Sequence, residues 1–115
     1  MRISGFLNYI HMEIKNRQIK IGNSKWKIKL EESMLSEDKE SFYFGMSNAT
    51  YKEIKLSTKL PDNTKVNNDS LQETYYHEIL HSILNEGQYK EESDNEPLIE
   101  WIAKCLLQLK KQNAL

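Results

Sequence analysis

The chain has 115 residues, 38% of them hydrophobic and 29% charged, with 16 Lys+Arg against 17 Asp+Glu. A chain of this length buries about two-thirds of its unfolded surface, enough for one core but not two lobes, so residues 1–115 are read as a single domain. A net charge of -1 argues against a dedicated nucleic-acid binder, and no apolar stretch approaches the roughly 18 residues of a membrane span. One cysteine makes no internal disulfide and no secretory leader opens the chain, so a cytoplasmic protein with no nucleic-acid or membrane partner is expected.

At the start, Phe6, Leu7, Ile10 and Ile14 fit a short peripheral helix, while a leader upstream of a second start at Met12 fits equally. From Arg17 the period becomes two. Ile19 and Ile21 alternate with Lys20, Gly22-Asn23-Ser24 interrupts, and Trp26, Ile28 and Leu30 alternate with Lys25, Lys27 and Lys29. This predicts a β-hairpin with one face on the core and a solvated lysine face. Glu31 to Ser41 reads as a loop, Phe42, Phe44 and Met46 as a further strand, and Tyr51 to Ser57 as another, with Ile54 and Leu56 inward. Leu60 to Asn68 is rich in Pro, Asp and Asn and reads as a loop.

The second half changes period. Ser70 and Glu73 form a capping-box pattern, Tyr76, Ile79, Leu80, Ile83 and Leu84 recur at helical spacing, and Gly87 is placed to stop the helix. Gln88 to Asn95 reads as a loop. A last helix begins near Ser93 to Asn95, with Pro97 in its first turn and a core stripe of Leu98, Ile102, Cys105, Leu106 and Leu109. Strands followed by helices predict an α+β domain: an antiparallel sheet of three or four strands covered by two helices.

Within the first of these helices stands His77-Glu78-Ile79-Leu80-His81, the pattern H-E-x-x-H. Residues i and i+4 share one helix face, so His77 and His81 can bind one metal ion. Glu78 lies about 100° round the helix, where it can reach a water beside the ion as a general base. On a helical wheel Tyr75, Tyr76, Ile79, Leu80, Ile83 and Leu84 take one arc, while Thr74, His77, Glu78, His81 and Ser82 take the opposite one. The histidines therefore avoid the middle of the core.

A catalytic zinc usually takes three protein ligands and leaves a fourth position to water. Candidates for the third are Glu86, Glu91, Glu92, Asp94, Glu96 and Glu100. Glu86 points poorly, and the next three sit in a polar loop. Glu96 and Glu100 are one turn apart on the last helix and both point away from its apolar stripe. The wheel does not separate them, although a second-turn residue is held more stiffly than one in a fraying first turn, which favours Glu100.

Thr74 to Leu84 resembles the active-site helix of zincin metallopeptidases, and in particular minimal gluzincin-like domains of the ImmA/IrrE type and related small phage-encoded proteins. Asn95 to Ala103 resembles the glutamate helix that follows in them. The resemblance spans Gln18 to Leu109, and its specific part is the five-residue motif. It implies a minimal zincin-like fold holding one Zn2+ through His77, His81 and Glu100, with Glu78 as catalytic base and Glu96 as the reserve ligand. Lys104 departs from the pattern, which favours a small or neutral residue there.

The expected activity is hydrolysis of a protein or peptide substrate by a metal-activated water, the substrate pairing with an edge strand at Tyr51 to Ser57. Tyr89 and His11 are candidate oxyanion donors. The alternatives are a zinc-stabilised, non-catalytic regulatory or partner-binding protein of a phage or mobile element, and a metal-free interaction protein.

Overall fold

The computed structural model describes residues 14–115. Residues 1–13, which carry most of the expected terminal helix or leader and the candidate His11, lie outside the described residues. The fold is α+β. Strands β1 (Arg17–Ile21) and β2 (Ser24–Glu31) make the expected hairpin, turning at Gly22, whose φ of 59° is the left-handed conformation that glycine adopts at no steric cost. β3 (Met34–Leu35) and β4 (Phe42–Tyr43) form a two-stranded sheet within and beside the segment expected as a loop. β5 (Gly45–Asn48) and β6 (Glu53–Ser57) complete a four-stranded sheet in the order β1-β2-β6-β5.

Two features of this sheet differ from the expectation. β6 runs parallel to β2, with Ile28 opposite Ile54 and Leu30 opposite Leu56, so the sheet is mixed rather than wholly antiparallel. As a consequence Tyr51 to Ser57 is not an edge, and among the described residues the edges are β1 and β5. Alternation along a strand reports which face is buried but not which neighbour it has.

The inner face carries Trp26, Ile54 and Leu56, all 0% exposed, with Ile28 beside them. Leu71, Tyr75 and Ile79 of helix α1 (Asn68–Glu86) close this core from one side. Full burial of each such side chain contributes about 1.5–3 kcal/mol. The outer face carries Lys25, Lys27 and Lys29, and the last pairs with Glu53 at 2.6 Å.

The cap of α1 is Asn67, whose Oδ1 accepts the Ser70 N–H at 2.8 Å. The cap thus lies three residues before Ser70, where the expected box would have placed it. At its other end Gly87 keeps an ordinary φ of -81°, and the left-handed residue is Gln88 at 65°. Glycine serves a different purpose there: a Cβ on it would stand 3.0 Å from the Tyr89 ring.

A short helix α2 (Lys90–Ser93) occupies the segment expected as a loop, and α3 (Glu96–Lys111) follows. The buried stripe of α3 is Ile99, Ala103 and Leu107, while Leu98 and Leu109 face solvent, a rotation from the predicted stripe. The apolar arc of this helix is wide, leaving only the face of Glu100, Lys104, Gln108 and Lys111 polar, so periodicity alone does not say which part of the arc is buried. Among the described residues no helix is long and apolar enough to cross a membrane.

Glu86, in the last turn of α1, ties the helix to the sheet. Its carboxylate accepts from Trp26 Nε1 at 3.0 Å, from Lys52 Nζ at 2.8 Å and from the Ser24 hydroxyl. The Lys52 ammonium first, then the Ser24 hydroxyl, hold the carboxyl down to about 2. A depressed folded-state pKa gives stabilisation that is present in full above the ordinary value of 4.5 and lost as the pH falls through about 2. Glu86→Gln is therefore expected to lower the melting temperature at pH 7, and its deficit against the parent to shrink between pH 4.5 and 2. A deficit that stays constant across that range in thermal circular dichroism would contradict the assignment.

Candidate metal centre

The two histidines stand on the side of α1 turned away from the hydrophobic sheet core, at intermediate burial. His77 Nε2 and His81 Nε2 are 3.1 Å apart. Helix α3 brings a carboxylate to both of them: Glu96 Oε1 lies 2.9 Å from His81 Nε2, and Oε2 lies 3.1 Å from His77 Nε2. The donor atoms of His77, His81 and Glu96 all fall within 4.8 Å of one another, so the three side chains can hold a metal ion. Ligand atoms about 2.0–2.1 Å from a tetrahedral ion stand only a little over 3 Å apart, and the observed separations match that spacing. The chemistry of the donors agrees, because three lone-pair atoms converging on one point repel each other unless a proton or a cation lies between them.

The carboxylate in this group is Glu96, not Glu100. Glu96 opens α3 directly after its cap, Asn95, whose Oδ1 accepts the Leu98 N–H at 3.3 Å. That cap braces a first turn that would otherwise fray. Glu100 sits one turn further on, exposed, and lines a cleft of about 370 Å³ that begins at His77 and Glu78. The remaining carboxylates lie elsewhere. Glu86 is engaged with the sheet, Glu91 and Glu92 are exposed on α2, and Asp94 is 3.6 Å from Lys90. Tyr89 is 59% exposed and packs beside Gly87, outside the His77, His81 and Glu96 group.

Sequence reasoning missed two supporting residues. Ser93 Oγ lies 3.1 Å from His81 Nδ1 and is 2% exposed. With the proton on Nδ1 donated to Ser93, Nε2 keeps its lone pair for an ion, which orients the ring and raises its basicity. The second is Gly45 in β5. A Cβ there would stand 2.6 Å from Thr74 Cγ2 and 2.9 Å from Glu78 Cγ, so only glycine lets the edge strand come this close to α1. Ser47, two residues on, joins the same contact through Ser82 Oγ at 2.8 Å, and Ser82 Oγ donates to the Glu78 carbonyl at 2.8 Å. A lone serine and a lone glycine carry no periodic signal, and only their neighbours in space give them meaning.

Under this strand lies Glu78, 8% exposed. Its carboxylate has no hydrogen-bond or ion-pair partner among the described residues, and it lines the cleft. Burial, and then the negative charge of Glu96, push its carboxyl up to about 7.

Titration of tag-free protein with a divalent metal is expected to show one ion per chain, lost in His77→Ala and His81→Ala. Ser93→Ala should weaken binding by about 10–100-fold, Glu96→Gln by more, and Glu100→Gln not at all. A larger effect from Glu100→Gln than from Glu96→Gln would reverse the ligand assignment. Gly45→Ala should destabilise the fold by about 1–3 kcal/mol, measured by denaturant unfolding.

No family model matches the chain, and searches of curated proteins and of solved structures return no match.

Proposed function

We propose that the protein is a small zinc-dependent peptidase of the gluzincin type, with His77, His81 and Glu96 as the metal ligands and Glu78 as the general base. The observation that carries the reading is Glu78 itself: a nearly buried carboxylate, without a partner among the described residues, that opens onto a cleft beside a His/His/Glu group. A carboxyl without a partner at that depth weakens a fold, and a group of that kind in a cleft suits proton transfer. Two imidazoles and a carboxylate suit zinc, although the same donors accept other divalent ions. Zinc bound there would supply Lewis acidity, bringing the pKa of water from about 15.7 to near 7.

The chain's own groups provide the rest. Glu78 is positioned to take a proton from the attacking water and return it to the departing amine. Among the described residues β5 pairs only with β6, and it runs directly over Glu78. An extended peptide adding to that edge would carry its backbone past the carboxylate. This role belongs to β5 because β6 lies inside the sheet.

A second reading, in which the ion has only a structural role, draws support from one feature: the ligands come from two helices, so the ion would also pin α3 to α1. The two separate in a peptide-panel assay with zinc present. The peptidase reading expects Glu78→Gln to keep its zinc and lose roughly 10²–10⁴-fold in cleavage rate, and His77→Ala to lose both zinc and activity. Full activity in Glu78→Gln would rule out the base, while zinc binding with no cleavage in the parent protein would favour the structural ion.

A further inference from the structure

The cleft extends beyond His77, Glu78 and Glu100. Helices α1 and α3 run antiparallel, with Glu96 at His77 and His81 near one end and Lys111 paired with Asp69 at the other. Glu73, one turn before His77, and Glu100, one turn after Glu96, therefore stand at the same level along the pair, and both line the cleft. Neither has a hydrogen bond or an ion pair with any described residue. The facing wall is aromatic: the Phe42 and Phe44 rings meet edge to face with centroids 4.9 Å apart, and Phe44 is 47% exposed. Lys104, a turn past Glu100, lines the far end.

Two unpaired carboxylates beside an aromatic wall have a specific chemical complement. An apolar side chain entering between them would strip water from both and offer nothing in return, and a neutral polar one would offer donors but no charge. An acidic one would meet like charges. A long cationic side chain satisfies both walls, since its alkyl stem can lie on the rings and its charged end can sit between the carboxylates. Glu78 independently points to a ligand here, because it is 8% exposed, without a partner among the described residues, and lines this same cleft.

We propose that the cleft is a specificity subsite for a lysine or arginine side chain of the substrate peptide, with Phe42 and Phe44 supporting its stem and Glu73 and Glu100 receiving its charge. Lys104 opposes this preference and limits how far along the cleft the charge can go. The choice of a peptide as ligand rests on the peptidase reading, whereas the preference for a cation rests on the walls of the cleft.

The test uses blocked hexapeptides with one arginine walked through each position and their citrulline twins, which match arginine in shape but lack its charge. Binding to the zinc-loaded full-length Glu78→Gln protein is measured by calorimetry, so that no turnover intervenes. At one position arginine should bind about tenfold tighter than citrulline. That ratio should fall to within about twofold in a protein also carrying Glu73→Gln and Glu100→Gln, and rise in one also carrying Lys104→Met. Equal affinities at every position, no binding of either peptide, or a ratio unchanged by the two glutamine substitutions in protein that melts normally would overturn the subsite. Cleavage by protein with Glu78 intact is scored separately. An arginine preference in binding without zinc-dependent cleavage keeps the subsite and removes the peptidase reading, while cleavage with no charge preference does the reverse.

Discussion

A helix that buries polar side chains must leave their atoms either hydrogen-bonded or in touch with water, and α1 packs along two interfaces. One side, through Leu71, Tyr75 and Ile79, lies on the sheet core. Elsewhere on the helix Gln72, Glu78 and Ser82 are also buried, and α3 and β5 pack against it. Among the described residues no fully buried side-chain nitrogen or oxygen lacks a partner. Glu78 reconciles its lack of partners with that rule by keeping its carboxylate in contact with the cleft. An acid without a partner among the described residues is thereby confined to the cleft beside His77, His81 and Glu96.

The geometry of that place is set by contacts at a distance from it. Glu86 anchors the end of α1 to Ser24, Trp26 and Lys52. The Lys111–Asp69 pair joins α3 to the start of α1 and keeps the helices in the antiparallel register that delivers Glu96 to the imidazoles. Exposed pairs of this kind contribute little to stability, typically about 0–1 kcal/mol, so most of the register comes from Ile99, Ala103 and Leu107. Ala103, 0% exposed, adds little bulk at this interface and suits a close approach of the two helices. On the other side Gly45 does the same for the edge strand.

The distribution of charge follows the same division. The lysines of β2 stand on the outer face of the sheet, where water covers them, whereas unpaired carboxylates gather along the cleft. A nearly neutral chain can therefore gather carboxylates beside the His77, His81 and Glu96 group, a property that net charge does not reveal.

Much of this was legible along the chain. Alternation around Gly22 and Asn23 marked the hairpin, the switch to helical spacing after Ser70 marked an α+β order, and the spacing of His77 and His81 placed both rings on one face. These are local properties, written in periods of 2 and 3.6 residues. Three other features depend on which segments meet in space. The parallel pairing of β6 with β2 turns an expected edge into an interior strand and hands the edge to β5. The choice between Glu96 and Glu100 turns on how far α3 slides along α1, a shift of a single turn that the helical wheel cannot register. Ser93 and Gly45 matter through what approaches them, His81 in one case and the α1 side chains in the other, and no pattern within their own segments announces it.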